Sequence, residues 1–575
     1  MSTADWIVLF GTLFAIVAYG TWRTRQSNNL NDYLRGGNEM KWLTIGLSVM
    51  ATQASAITFL SAPGLGYESG LRFVQFYFGL PIALVIISAF IIPIYYRLKV
   101  YTAYEYLESR FDLKTRLLAA LLFLVQRGLA AGLTIFAPAI ILSTILGWDL
   151  RFTNLFVGFL VIIYTVTGGS KAVSITQKIQ MAIILGGMAL AFVILAVRIQ
   201  DHVDLGTAFK LAGSAGRMEI LDFNFDLNER YTVWSGLTGG LFLALSYFGT
   251  DQSQVQRYLS GKNIRESRLG LMFNAMLKIP MQLFILLTGV LVFVFYLYIK
   301  PPVFFNEVAL EGLENTEYER ELKEIKSRYD LNYSELQASR SEFEIALAAD
   351  DFRTENVAEK VFLNRLEEDR EIRGEVKALL LKADPNFKVK DTNYVFLNFV
   401  MDFMPIGVVG LIIALIFSAA MSSTSSELNA LATTSSVDFY NRLFRKEATE
   451  KQHLFMSKAL TVFWGLLAIG FALIANLFDN LIEMVNVLGS LFYGTILGIF
   501  IVAFFFKKIK GGGVFYAALI AEAVVLFIHF AQVYSWPLIG NLQVEYLWYN
   551  VIGAAIVVVL AHLFTIFQKP KLSEA

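Results

Sequence analysis

Residues 50–59 read MATQASAITF, and they interrupt an apolar stretch that runs from about residue 42 to about residue 60. Small and polar side chains in the middle of a membrane helix are typical of the place where a transporter helix unwinds. Unwinding frees backbone carbonyls to bind a cation and leaves N–H groups that can face an anion. The stretch therefore predicts a broken membrane helix with binding sites at the break.

The composition of the whole chain also indicates a membrane protein. Of its 575 residues, 56% are hydrophobic and 17% are charged, whereas soluble domains carry about 25% charged residues. The 48 basic and 48 acidic residues cancel, which argues against a nucleic-acid partner. The absence of cysteine excludes disulfides, cysteine-ligated metals and thiol nucleophiles. Because the apolar stretches contain no acid–base or metal-ligating set, we do not expect an enzyme.

Thirteen stretches of the sequence are apolar enough to cross a membrane. A helix needs roughly 20 such residues to span the hydrocarbon core, and unpaired backbone groups are not tolerated there, so we predict an all-α polytopic fold. We expect the first span to be a retained helix rather than a signal peptide, since it has no basic leader or small-residue cleavage site. The predicted spans lie near residues 5–22, 42–60, 74–97, 117–146, 152–167, 179–198, 233–249, 270–299, 405–426, 456–477, 483–506, 513–532 and 545–567.

The charges of the short loops predict the orientation. Loops on one side of the thirteen spans carry about 24 Lys and Arg residues, against about six in the short loops of the other side. Positive loops stay in the cytoplasm. We therefore expect a multi-pass protein of the plasma (inner) membrane, with the N-terminus outside and the C-terminus in the cytoplasm.

Residues 300–396 break the apolar pattern with a dense mixture of charges. Sparse apolar residues at helical spacing within this segment favour soluble helices. We interpret the segment as an extracytoplasmic helical insertion, a spacer or lid without chemistry of its own.

A row of hydroxyl side chains ends the ninth predicted span. Residues 419–427 read AAMSSTSSE, and hydroxyl oxygens suit Na⁺, a hard cation. A single Ser or Thr in a membrane helix usually bonds back to its own backbone. Five consecutive hydroxyls opposite a broken helix favour a sodium site instead.

Two cationic side chains are predicted to lie within the membrane. Arg127 falls near the middle of the fourth span, where an ionisable group is costly and usually functional. It could grip a solute carboxylate in a bidentate manner, or it could be paired with an internal acid or with backbone carbonyls. Lys278, just before Pro280, could contact the solute or could extend to the inner interface.

Four further motifs resemble those of the sodium:solute symporter family. They are DYLRGG at 32–37, TAYEYLESRF at 102–111, GGSKAV at 168–173 and GTDQSQVQRY at 249–258. Their order and the thirteen spans are similar to the branch that includes iodide, monocarboxylate, vitamin and sialic-acid carriers. The resemblance covers nearly the whole chain except the insertion.

The resemblance implies a LeuT-like core of two inverted five-helix repeats, formed by spans two to six and seven to eleven. It implies this organisation: residues 1–41, first helix and cytoplasmic loop; 42–232, first repeat; 233–299, start of the second repeat; 300–396, insertion; 397–506, rest of the second repeat; and 507–575, two C-terminal helices and tail.

The resemblance also implies where sodium binds. The family's shared sodium site falls on the carbonyls of Ala51, Ala54 and Ala419 and on the hydroxyls of Ser422 and Ser423. A second sodium, bound by some members, would use Ser425, Ser426 and an acid at the position of Gln177. Because that position here is an amide, we expect one sodium per cycle.

The solute residues implied by the resemblance come from several branches of the family. Arg127, Ser55 and Thr58 are similar to the carboxylate-binding set of sialic-acid carriers. Tyr247 and Lys278 match an inner-gate tyrosine and a lysine of sugar carriers, in which the position of Tyr77 is an acid. Further pocket candidates are Gln53 and Asn486.

These observations predict a sodium-coupled symporter that imports a small organic solute by alternating access. The solute is expected to be an anion such as a carboxylate or sialic acid, and the alternative is a neutral sugar. The expected partners are the solute, Na⁺ and the lipid bilayer, with a monomer as the functional unit.

Overall fold

The predicted break in the second span is present in the computed structural model of the protein. Helix Trp42–Gln53 ends at Ala54, where the backbone leaves the helical region (φ −85°, ψ 78°). Ser55 is extended (φ −77°, ψ 171°) and precedes helix Ala56–Ser69. The two half-helices meet at a bend of 64°. The expectation of an unwound segment between residues 50 and 59 is thus confirmed.

The structure describes residues 1–24, 30–349, 352–385, 387, 389–444, 449–474, 481–536 and 543–567. Within these ranges every regular element is helical. The helices of six or more residues are Thr3–Thr24, Leu30–Arg35, Trp42–Gln53, Ala56–Ser69, Arg72–Tyr77 (3-10), Leu80–Ile86, Ile92–Leu98, Glu105–Arg110, Leu113–Leu146, Leu150–Gln200, Leu205–Ser214, Gly239–Gly249, Gln252–Leu259, Ile264–Tyr296, Glu319–Ala349, Phe352–Ala383, Thr392–Phe403, Val408–Thr434, Ser435–Phe444 (π), Glu450–Ala472, Leu481–Phe505, Gly511–Val533 and Tyr546–Phe567.

The number of spans depends on how broken helices are counted. Ten helices in the described part of the chain are long and apolar enough to cross a membrane, and the bent pair makes eleven. Helix Leu150–Gln200 has 51 residues, a length of about 77 Å that exceeds two hydrocarbon cores. Gly169 interrupts it with non-helical angles (φ 58°, ψ −172°), which agrees with two predicted spans there. The remaining predicted span corresponds to the shorter apolar segment Val233–Gly249.

The broken helix is buried among other membrane helices. Both halves pack against Ile264–Tyr296 and Val408–Thr434. Contact with the former is close at Gly289, where an added Cβ would lie 1.9 Å from the carbonyl oxygen of Pro63. A larger side chain at Gly289 would therefore push helix Ala56–Ser69, called the outer half-helix below, away from its neighbour.

The charged insertion forms a pair of long helices, Glu319–Ala349 and Phe352–Ala383. Phe343 and Phe362 stack between them with ring centres 5.6 Å apart. The last residues of the predicted insertion begin helix Thr392–Phe403, which packs on the outer half-helix. The described part of this segment is thus mainly helical, and its end packs against the membrane core.

The membrane orientation stays a prediction from the loop charges. Five of the basic residues on the side assigned to the cytoplasm lie outside the described residues: Arg25, Arg445, Lys446, Lys569 and Lys571.

Candidate functional site

The helix break releases the two carbonyls that were predicted to bind sodium. In an intact helix, the N–H of Ser55 would bond to Ala51 and that of Thr58 to Ala54. Here the N–H of Ser55 donates to Gln53 (3.1 Å) and that of Thr58 donates to Ser55 (3.0 Å). The carbonyl oxygens of Ala51 and Ala54 are therefore free of their usual helical donors.

The hydroxyl row meets this break from helix Val408–Thr434. The Ser422 hydroxyl donates to the Ala51 carbonyl oxygen across the helix contact, at 3.1 Å. One residue later, the Ser423 hydroxyl donates to Ala419 on its own helix, at 2.9 Å. Ala51, Ala419, Ser422 and Ser423 are all buried. Ser422 is thus joined to Ala51 between two helices, and Ser423 is joined to Ala419 within one helix. The carbonyl and hydroxyl oxygens of these four residues are hard atoms of the kind that suits Na⁺.

Gln177 is the residue that stands where the family resemblance implies an acid for a second sodium. Its amide nitrogen donates to the Thr52 hydroxyl (3.1 Å), the Ser422 carbonyl (3.2 Å) and the Ser426 hydroxyl (2.8 Å). The neighbouring Ser425 hydroxyl bonds back to the Ser422 carbonyl at 3.2 Å. An N–H donor therefore points at the oxygens that a second cation would need.

A cavity of about 90 Å³ lies beside the break. Its lining includes seven of the eight residues predicted to contact the solute: Gln53, Ser55, Thr58, Tyr77, Arg127, Tyr247 and Asn486. Lys278 is not among the lining residues. Its side chain is buried, and its Nζ atom lies 5.1 Å from the centre of the ring of Tyr77, which lines the cavity. Lys278 therefore contacts the cavity through Tyr77.

Arg127 is held by two acids. Its guanidinium donates to Glu427 at 3.1 Å and also to Asp251 and to the hydroxyl of Tyr493. The guanidinium carbon lies 5.4 Å from the centre of the Tyr247 ring. Of the two interpretations that the sequence left open, pairing with internal acids describes these contacts, although Arg127 also lines the cavity.

The sequence analysis gave no role to the partners of Arg127. The Thr134 hydroxyl donates to Glu427 at 2.9 Å and the Tyr493 hydroxyl donates to Asp251 at 2.9 Å. Both acids are nearly fully buried. Glu427 directly follows the hydroxyl row and Asp251 lies in the GTDQ motif, so acids directly after the ends of predicted spans were the available signal.

A broken helix, a row of hydroxyl oxygens facing it and an adjacent polar cavity together define a membrane transporter. The sequence profile of the sodium:solute symporter family matches residues 33–311 and 384–521. The chain belongs to the sodium:solute symporter family. It is accordingly a transporter and not an enzyme, and the predicted family is confirmed.

The relatives of the chain are sodium-coupled carriers. The sodium/sialic acid symporter of Proteus mirabilis is 25% identical over 563 residues, covering 96% of this chain and 93% of that protein. The human sodium/iodide cotransporter is 34% identical over 270 residues. That second match covers 46% of this chain and 41% of the human protein, less than half of either.

A solved structure confirms the predicted fold. A substrate-bound, outward-open sodium-coupled sialic acid symporter superposes with a TM-score of 0.74, covering 99% of both chains at 24% identity. The family profile leaves residues 312–383 unmatched. That gap holds both long helices of the insertion.

Proposed function

We propose that the chain is a symporter that imports a small organic anion, such as a carboxylate or sialic acid, together with Na⁺ by alternating access. The observation that carries the proposal is the released Ala51 carbonyl, which meets the Ser422 hydroxyl at 3.1 Å beside a polar cavity. Sodium would be bound by Ala51, Ala54, Ala419, Ser422 and Ser423.

The helix break offers a direct route for coupling. Sodium bound at Ala51 and Ala54 would order the same short segment that supplies Gln53 and Ser55 to the cavity wall. It would also link helix Trp42–Gln53 to helix Val408–Thr434. A ligand shifts a conformational equilibrium only through different affinities for the two states, and the shift is reciprocal between ligands. Sodium and solute would therefore strengthen each other's binding in one state.

The charge of the solute rests on Arg127. Two relatives are named for the anions iodide and sialic acid, and Arg127 is a cation in the cavity wall. To hold a solute carboxylate, its guanidinium would exchange the 3.1 Å contact with Glu427 for the solute. A neutral sugar is the second candidate, because two internal carboxylates already balance the charge of Arg127.

Inhibition of counterflow by carboxylates or by uncharged sugars should distinguish an anion carrier from a sugar carrier. With protein reconstituted in vesicles, we expect sodium-dependent exchange that is inhibited by small carboxylates or sialic acid and not by uncharged sugars. Inhibition by uncharged sugars with no effect of acids would replace the anion with the sugar. Exchange that continues unchanged with K⁺ in place of Na⁺ would refute sodium coupling itself.

One sodium per cycle is proposed from the contacts of Gln177. We expect a Hill coefficient of about one for sodium-driven uptake in the wild type. Gln177→Asp would replace an N–H donor by carboxylate oxygens beside Thr52 and Ser426, creating the ligand type that sodium prefers. The Hill coefficient should rise toward about two in this variant, measured from initial rates over a sodium series.

The control for Gln177→Asp is Gln180→Asp. Gln180 is on the same helix and is equally buried, and its amide has no hydrogen-bond partner in the described residues. A rise in the Hill coefficient in both variants, or in neither, would contradict the role given to Gln177.

We also propose the remaining features that the sequence predicts. These are two repeats at residues 42–232 and 233–506, interrupted by the insertion; an outward N-terminus and cytoplasmic C-terminus; and a monomer as the functional unit.

A further inference from the structure

A second cavity, of about 310 Å³, lies between the insertion and the membrane core. The core contributes the end of the outer half-helix at Tyr67 and Glu68, together with Arg217 and Phe293. The insertion helix Phe352–Ala383 contributes four polar or charged residues, among them Arg370. The family profile does not match residues 312–383, and five of the 13 lining residues lie in that segment.

Arg217 is fixed rigidly to the end of the outer half-helix. Its carbonyl accepts a hydrogen bond from the N–H of Leu71 at 3.0 Å, and its guanidinium donates to the carbonyl of Glu68. Gly70 has a φ of +73°, and an added Cβ there would lie 2.3 Å from the Arg217 carbonyl oxygen. The backbone of Arg217 is thus packed against a position that admits only glycine.

The guanidinium of Arg217 forms no direct ion pair within the part of the chain that the structure describes, and the charge of Glu68 acts on it only through space. Its Nε atom is buried without a hydrogen-bond partner, and among the described residues no carboxylate forms an ion pair with it. The guanidinium carbon lies 5.1 Å from the centre of the Phe293 ring. Burial lowers the pKa of Arg217 to about 10, and the like charge of Arg370 acts in the same direction.

The acids that line the cavity already have partners. Asp369 accepts from Arg373 at 2.8 Å. Asp391 accepts the N–H of Phe305 at 2.7 Å and lies 3.9 Å from Lys377.

Glu68 accepts the hydroxyl of Thr392 at 2.8 Å. Arg370 is paired at 2.8 Å with Glu367, an exposed residue that is not part of the lining. The lining therefore contains four cations and three acids, and among the described residues Arg217 and Glu68 are the two charged groups of the lining without an ion pair.

We propose that this cavity is a binding site for a small anion, a carboxylate or a halide, held between Arg217 of the core and Arg370 of the insertion. An anion between the two guanidinium groups would relieve their repulsion and supply the donors of Arg217 with an acceptor. The outer half-helix has 14 residues, so its ends are about 20 Å apart. The cavity at its far end would hold an anion before it reaches the central site, and only this last step rests on the proposed function.

Anion binding can be measured on the full-length protein in sodium-free choline buffer, with radiolabelled iodide as the probe and acetate or chloride as competitors. We expect binding without sodium that weakens about tenfold in Arg217→Gln and in Arg370→Gln. The matched control is Arg320→Gln, an arginine of the insertion with 91% side-chain exposure, which should bind iodide as the wild type does. Competition by acetate would support a site shared with the transported carboxylate, and competition by chloride alone would assign it to ambient halide.

Wild-type iodide affinity in both Arg217→Gln and Arg370→Gln would overturn the proposal. An equal loss in Arg320→Gln would do the same, because it would indicate a general charge effect. Arg370 is a surface residue of the insertion, so its replacement keeps the test valid if Arg217→Gln fails to fold. The Ser422→Ala variant separates this proposal from sodium coupling, since it should keep sodium-free iodide binding even though its uptake is impaired.

Discussion

Ser422→Ala should raise the sodium concentration for half-maximal uptake by at least about tenfold. The Ser422 hydroxyl is the side-chain oxygen that meets the released Ala51 carbonyl. Interactions of a polar group with a charge contribute about 1.5–3 kcal/mol each, and about 1.4 kcal/mol corresponds to a factor of ten in affinity. The measurement is initial-rate uptake into vesicles over a sodium series at fixed solute.

The matched control removes a buried hydroxyl that has no part in the proposed sodium site. The hydroxyl of Thr165 bonds to the Val161 carbonyl of its own helix at 2.7 Å. Thr165→Ala should therefore leave the sodium dependence unchanged. If Ser422→Ala needs no more sodium than the wild type, or if Thr165→Ala shifts the dependence equally, sodium is bound elsewhere.

The sequence and its family resemblance were sufficient to predict the broken helix and seven of the 16 residues that line the cavity. The polar interruption at residues 50–59 is local, and the helix breaks where that local signal lies. Gln53 and Asn486 are far apart in the chain, yet both line the cavity. Assigning both residues to one cavity required the family resemblance, because the periodicity of apolar residues does not indicate which helices are neighbours.

The partners of Arg127 could not be derived in the same way. An arginine at membrane depth requires a counter-charge or an anionic ligand, and the sequence contains several acids near predicted spans. Only the packing of three helices shows that Glu427 and Asp251 converge on one guanidinium. The cavity beneath the insertion is a similar case, since the charge pattern predicted soluble helices but did not place Arg370 opposite Arg217.

Arg127→Gln should abolish uptake of acids and also lower the thermal stability of the protein. The substitution leaves Asp251 and Glu427 buried without their cation, and breaking a buried ion pair in this way costs about 3–5 kcal/mol. The expected readouts are loss of uptake and a lower Tm in detergent. Because both a solute role and a purely structural role predict this result, the single variant does not distinguish them.

Neutralising the acids together with the arginine separates the two roles. The triple variant Arg127→Gln, Asp251→Asn, Glu427→Gln keeps hydrogen-bonding groups without buried charge, so its Tm should recover toward the wild-type value. Acid uptake should stay absent, because no cation remains in the wall to hold the carboxylate. Glu427→Gln alone should instead lower the KM for acids, since Arg127 would no longer exchange a charged partner for the solute. Recovery of acid uptake in the folded triple variant would show that Arg127 positions helices and does not bind the solute.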